Sequence, residues 1–285
     1  MDIALNVILD KSNLRNKMNL KKTACVLIAL VIGGMGMAQE SDMSDRKIRF
    51  GLQASPNFGW LKPNIKELAK DGLEPRMGFG YGLMMDYKFS ESPNYMFSTG
   101  LNMVYNGGSM SEPWDSTVVS TIDTITSSTT YIGQANRTYR MQYVTIPLLL
   151  KMRTNEIGYM SYFAAVGLDV GIRTRALVNN DYTWNPAVGP ADQKDLNIQQ
   201  DIQLFRSAIN ITGGGEFNLS GNTNIYVALG YHNGITNMFR KTDSNRILEP
   251  DNNGDPELDV AGNTITSRHK KALSQYISLD IGIFF

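Results

Sequence analysis

Apolar and polar residues alternate with a period of two along most of this chain, in runs of about a dozen residues. The clearest run is 273–285, L-S-Q-Y-I-S-L-D-I-G-I-F-F. Leu273, Gln275, Ile277, Leu279, Ile281, Ile283 and Phe285 fall on one side; Ser274, Tyr276, Ser278, Asp280, Gly282 and Phe284 fall on the other. Alternation of this kind means a strand with two unlike faces. Its length is roughly twice that of an ordinary soluble strand and close to what a tilted strand needs to cross a bilayer.

The same pattern predicts seven earlier strands, at 48–59, 78–89, 94–106, 139–152, 158–173, 206–219 and 223–236. Phe79, Tyr81, Leu83, Met85 and Tyr87, for example, oppose Gly80, Gly82, Asp86 and Lys88. Short connections (90–93, 153–157, 220–222) carry turn residues such as Ser-Pro, Thr-Asn and Ser-Gly-Asn. Long polar segments (60–77, 107–138, 174–205, 237–272) alternate with them. Eight long strands with strictly alternating short and long connections predict an all-β fold, an eight-stranded antiparallel up-and-down transmembrane β-barrel. The competing architecture is a soluble barrel or sandwich of the lipocalin kind, with the apolar face turned inward. Strand length, loop asymmetry and a second face of Gly, Ser, Asn and Thr favour the membrane.

Composition adds to this picture without changing it. Net charge is zero, so there is no field to recruit nucleic acid. The slightly negative mean hydropathy excludes a helical membrane bundle but not a barrel, whose faces average out. The single cysteine, Cys25, excludes an intramolecular disulfide framework. The start of the chain reads as an export signal: Met18, Lys21 and Lys22, an apolar run over 24–32, then Gly36-Met37-Ala38. The expected organisation is therefore an N-terminal extension and signal peptide (1–38, with Met18 as the start and cleavage after Ala38), a short periplasmic lead-in (39–47) and the barrel domain (48–285). Both termini are expected in the periplasm.

With the apolar face toward lipid, the lumen receives Arg49, Lys88, Lys151 and Arg173 against Asp86, Asp169, Glu216 and Asp280. An eight-stranded barrel has room only for side chains, so these form a packed, charge-compensated core rather than a pore. Pro147, inside the fourth strand, predicts a bulge or a missing hydrogen bond. His232 faces the same lumen and is a candidate base, although no orienting acid stands at a fixed spacing and no nucleophile motif is present. A lumen hydrogen bond is its plainer role. Asp251, Asn253 and Asp255 form a weak Ca²⁺ candidate: Pro256 replaces the turn glycine and no bidentate Glu follows, so a solvated acidic loop competes with it. The basic group 268–271 suits lipopolysaccharide phosphates or a merely solvated rim. No other metal site and no cofactor is expected.

The stretch Met141–Lys151, M-Q-Y-V-T-I-P-L-L-L-K, resembles the signature of the PorT-like outer-membrane β-barrel family of Bacteroidota, at Tyr143, Ile146, Pro147, Leu148, Leu149, Leu150 and Lys151. Gly213-Gly214-Gly215-Glu216-Phe217, the run 230–237 and the closing I-S-L-D-I-G-I-F-F are similar to that family's late strands. The resemblance, over roughly 48–285, implies an outer-membrane barrel inserted by the barrel-assembly machinery, which reads a terminal aromatic such as Phe285. The family's namesake acts in type IX secretion and gliding. Residues and resemblance together lead to a monomeric barrel that is structural or surface-binding, not an enzyme. Its specificity toward a surface ligand or envelope protein lies in four long extracellular loops. An accessory component of a secretion or gliding apparatus is the first alternative, and an outer-membrane hydrolase or acyltransferase the second.

Overall fold

The computed structural model describes residues 47–63, 74–89, 94–122, 125–185, 189, 191–220, 223–249, 256–260 and 264–285. The expected signal peptide, the expected lead-in up to 46 and the Ca²⁺ candidate (Asp251, Asn253, Asp255) lie outside these residues.

The strands are β1 (Ile48–Pro63), β2 (Glu74–Lys88), β3 (Tyr95–Ile122), β4 (Ile125–Arg153), β5 (Met160–Asn185), β6 (Gln193–Asn197), β7 (Phe205–Ser220), β8 (Thr223–Gly234), β9 (Arg246–Leu248), β10 (Thr266–His269) and β11 (Ala272–Phe284). Eight of them form a closed antiparallel ring in the order β1-β2-β3-β4-β5-β7-β8-β11. β11 returns to β1 in register from Gly51↔Phe284 to Pro63↔Ala272. Closure removes the unpaired edge that an open sheet would leave in hydrocarbon. β6 adds to β5 outside the ring, and β9 and β10 make a separate hairpin in the last long connection.

The orientation of the faces decides between the two barrels that the alternation allows. Ile277, Leu229 and Val166 are 45%, 64% and 44% exposed, whereas Asp86, Asp169 and Glu216 are at most 2% exposed. The apolar side therefore faces outward. A belt of this size exposed to water would be a gross liability, and lipid is the solvent it fits. Aromatic residues edge the belt at both ends. Tyr87, Phe89, Tyr95, Tyr159 and Phe217 stand near the short turns; Phe79, Tyr81, Tyr105, Phe205 and Tyr231 stand near the long connections. Among the described residues no helix is long and apolar enough to cross a membrane.

Three strands run far past their predicted ends, and β1 and β2 do so by a few residues each. The segments 107–138 and 174–205, expected to be loops, are largely strand. β3 pairs with β4 as far as Ile122↔Ile125, and β4 with β5 out to Ile132↔Asn185. Beyond the lipid belt neither face must be apolar, so the strands continue without the alternation that reveals them in sequence. The β4–β5 register slips by one residue beside Thr174, a bulge located where the predicted strand stopped. At Pro147 the β3–β4 ladder passes from Thr99↔Leu148 to Asn102↔Thr145 without a change of register. The proline interrupts pairing on that side and makes no bulge. Pro56 does the same to the β1–β11 ladder between Ala54↔Ile281 and Asn57↔Ser278. The described turn before β5 uses Gly158 at φ 68°, a left-handed conformation that favours glycine.

Candidate functional site

Nearest the short turns, four strands direct charges to one point. Arg49 Nη2 on β1 lies 2.7 Å from both Asp86 Oδ2 on β2 and Glu216 Oε1 on β7. Lys151 Nζ on β4 donates to the same two carboxylates at 3.0 and 2.6 Å. These two cations and two anions compensate each other, which makes burial at membrane depth tolerable. Phe284 and Phe163 pack against them, with Arg49 Cζ 4.1 Å from the Phe284 ring centroid and Lys151 Nζ 4.2 Å from that of Phe163. Arg153, which the alternation did not single out, reaches Glu216 Oε2 at 3.3 Å from the rim.

The eight charges expected to share one lumen network do not meet in one place. Arg49, Asp86, Lys151 and Glu216 form the quartet, while Lys88 remains half-buried at its rim. Arg173 donates to the Gln199 carbonyl, on the long-connection side. Asp169 and Asp280 lie further along the strands, where Asp169 binds His232. Face assignment follows from sequence, but depth along the barrel depends on register and tilt.

His232 Nδ1 on β8 lies 2.6 Å from Asp169 Oδ2 on β5, and its Nε2 lies 3.1 Å from Ser278 Oγ on β11. Asn210 Nδ2 on β7 donates to Asp169 Oδ1 (2.9 Å), and Thr212 donates to Asn210 Oδ1 (2.7 Å). The imidazole stacks on Tyr276, with ring centroids 4.0 Å apart. The orienting acid that spacing could not locate is therefore Asp169, brought to His232 across the barrel wall. Chemically this is the serine–imidazole–carboxylate order of an acyl-transfer triad. Ser278 is only 2% exposed, however, and its hydroxyl opens on a lumen cavity of about 80 Å³. That is room for several waters but not for a lipid or peptide.

The lumen is less polar than its sequence face implied. Toward the long connections an apolar cap fills it, including Leu61, Met141, Tyr143, Ile202, Met238 and Phe239. Phe239, from the last long connection, meets Tyr139 edge-on at 5.4 Å. Above the cap Lys270 Nζ donates to Glu112 Oε1 at 2.7 Å, and Arg137 pairs with the same carboxylate while lying 4.2 Å over Trp114. Burial alone would push the Glu112 carboxyl up, but Arg137 and Lys270 outweigh it and hold it below the usual carboxylate range. Burial brings the Lys270 ammonium down to about 8, with Glu112 pulling in the opposite direction. Within the basic group 268–271, Lys270 is therefore committed to Glu112 and cannot meet lipid phosphates; Arg268 and Lys271 remain exposed. His269 is half-buried in β10.

A closed eight-strand ring, apolar outside and charged inside, defines a transmembrane β-barrel of the outer-membrane class. The outer membrane protein beta-barrel domain family matches residues 37–240, and the chain belongs to that family. No curated protein matches it. Among solved structures, Neisserial surface protein A is similar at 8% identity and a TM-score of 0.36, over 83% of this chain and 97% of its own. The attachment invasion locus protein Ail of Yersinia pestis is similar at 12% identity and 0.31, over 84% and 100%. The outer membrane protease OmpT from Escherichia coli is similar at 9% and 0.34, over 87% and 99%.

Proposed function

We propose that this outer-membrane barrel is a structural or surface-binding protein, monomeric, in the PorT-like branch of its family, with both termini periplasmic. The observation that carries the reading is the contrast between a filled lumen and the sheet of β3, β4 and β5 continuing past the membrane belt. A filled lumen supports a scaffold over a pore, and the protruding sheet offers surface to an envelope protein or external ligand. Insertion by the barrel-assembly machinery through Phe285, and contact of Arg268 and Lys271 with lipopolysaccharide, accompany this reading. Val260, fully exposed in the last long connection, provides a test. In a Cys25→Ser background, Val260→Cys reacts with a membrane-impermeant maleimide on intact cells if the long connections are extracellular. Protection in intact cells, with labelling only after lysis, reverses the orientation. Crosslinked pull-down from outer membranes then identifies the partner; copurification with a secretion apparatus selects that alternative.

The Asp169–His232–Ser278 geometry favours a second reading, a hydrolase. A small fluorophosphonate labelling Ser278 in the folded barrel, with labelling lost in His232→Ala, supports it. Absence of labelling leaves the three side chains as a lumen brace.

A further inference from the structure

Midway along the lumen is a cavity of about 80 Å³, between the ion-pair quartet and the His232 relay. Two features of the strands create it. On β2 the inward position beside it is Gly80, where an added Cβ would meet nothing nearer than Ser55 at 3.4 Å. On β1 and β11 the Pro56 interruption leaves Ser55 and Asp280 on facing strands without ladder pairing between them. Asp280 is half-buried, faces this cavity, and has no hydrogen bond or ion pair among the described residues.

Neutral oxygens that also lack partners line the same cavity. Ser55 Oγ, Asn57 Oδ1 and Thr145 Oγ1 are buried without a hydrogen bond, their residues 7%, 1% and 3% exposed, and all three line the cavity. Asn102 Oδ1 is likewise unpartnered in the wall. Unsatisfied buried oxygens sharing a cavity with a free carboxylate at membrane depth are costly unless something fills the space. Charge indicates what fills it. Lys151 also faces the cavity, but Asp86 and Glu216 engage its ammonium. Asp169 is engaged by His232 and Asn210, which leaves Asp280 as the carboxylate of this cavity without a partner among the described residues.

We propose that this cavity binds one partly hydrated monovalent cation beside the Asp280 carboxylate and Ser55 on the facing strand, with water linking it to the oxygens of Asn57 and Thr145 in the cavity wall. All the donors are hard oxygens, which suit an alkali ion and not a thiophilic or imidazole-seeking metal. One carboxylate among neutral oxygens balances a single positive charge. The space accommodates such an ion with a few waters. The site does not depend on the surface-binding role, since none of its residues reaches the loops.

The test uses the purified, folded barrel. Crystals soaked in Tl⁺ give an anomalous peak inside the cavity beside Asp280. Sodium or potassium raises the thermal midpoint by about 2–4 °C over N-methylglucamine at equal ionic strength. Asp280→Asn abolishes both the peak and the ion dependence, and in N-methylglucamine it melts higher than the unsubstituted barrel because no bare carboxylate remains. If Asp280→Asn fails to fold, Gly80→Ala narrows the cavity without touching the carboxylate and weakens the ion dependence. Equal midpoints in all cations without a peak mean that water alone occupies the cavity, and overturn the proposal. An ion dependence that survives Asp280→Asn also overturns it, by locating the ion elsewhere.

Discussion

Two of the barrel's buried charge clusters do different work. Near the short turns, Arg49, Asp86, Lys151 and Glu216 tie together four strands of the ring, with two cations facing two anions. Beyond the long-connection girdle, Glu112 holds Arg137 and Lys270, tying the last connection to the β3–β4 extension. The first cluster ties four membrane-crossing strands, so a lost partner there is felt by the whole ring. The second lies near solvent, where local opening is an alternative to unfolding. Burial of a charge therefore has different consequences according to the elements it ties together.

The largest effect should come from unbalancing the first cluster. Glu216→Ala leaves Arg49 and Lys151 sharing Asp86, and is expected to cost about 3–5 kcal/mol in denaturant unfolding of the refolded barrel. The matching change in the second cluster, Glu112→Gln, should cost about 2–3 kcal/mol and appear first as protease cleavage in the last connection. Equal, global losses from both substitutions would erase the distinction between the clusters.

Acidity should separate the clusters as well. The Glu112 carboxyl titrates below its ordinary value when the cap is closed, so the open form binds more protons as pH falls. Its contribution is present above the ordinary carboxylate value of 4.5 and is lost as pH drops through the depressed one. Lys270 acts in a higher window. Between about 8 and its ordinary 10.5 the open form again binds more protons, so cap closure strengthens as pH rises across that range. Hydrogen exchange over 264–272 measures both limbs, and a flat profile sinks the assignment.

Smaller effects test the lumen relay and the turns. His232→Ala leaves Asp169 with Asn210 as its hydrogen-bond partner among the described residues and should cost about 1–2 kcal/mol in equilibrium unfolding. Gly158→Ala places a side chain at φ 68° in open space, so only backbone strain counts, at about 1 kcal/mol. A larger loss at Gly158 would mean that this turn makes contacts absent from the folded structure.

Alternation by itself determined the ring: eight strands with two unlike faces, and Asp86, Lys151, Glu216 and His232 together on the polar one; that the polar face turns inward was decided by the folded barrel. Hydrocarbon on one side and a narrow lumen on the other leave period two as the only workable pattern, so it is written into every crossing. Outside the membrane that constraint disappears, and the extensions of β3, β4 and β5 left no trace in the pattern. Which inward residues meet was also beyond reach, because Asp169, His232 and Ser278 sit on three strands and depend on the staggers among them. Tertiary structure alone decided that Asp169 turns to His232, that Lys270 turns inward to Glu112, and that Asp280 is left facing a cavity.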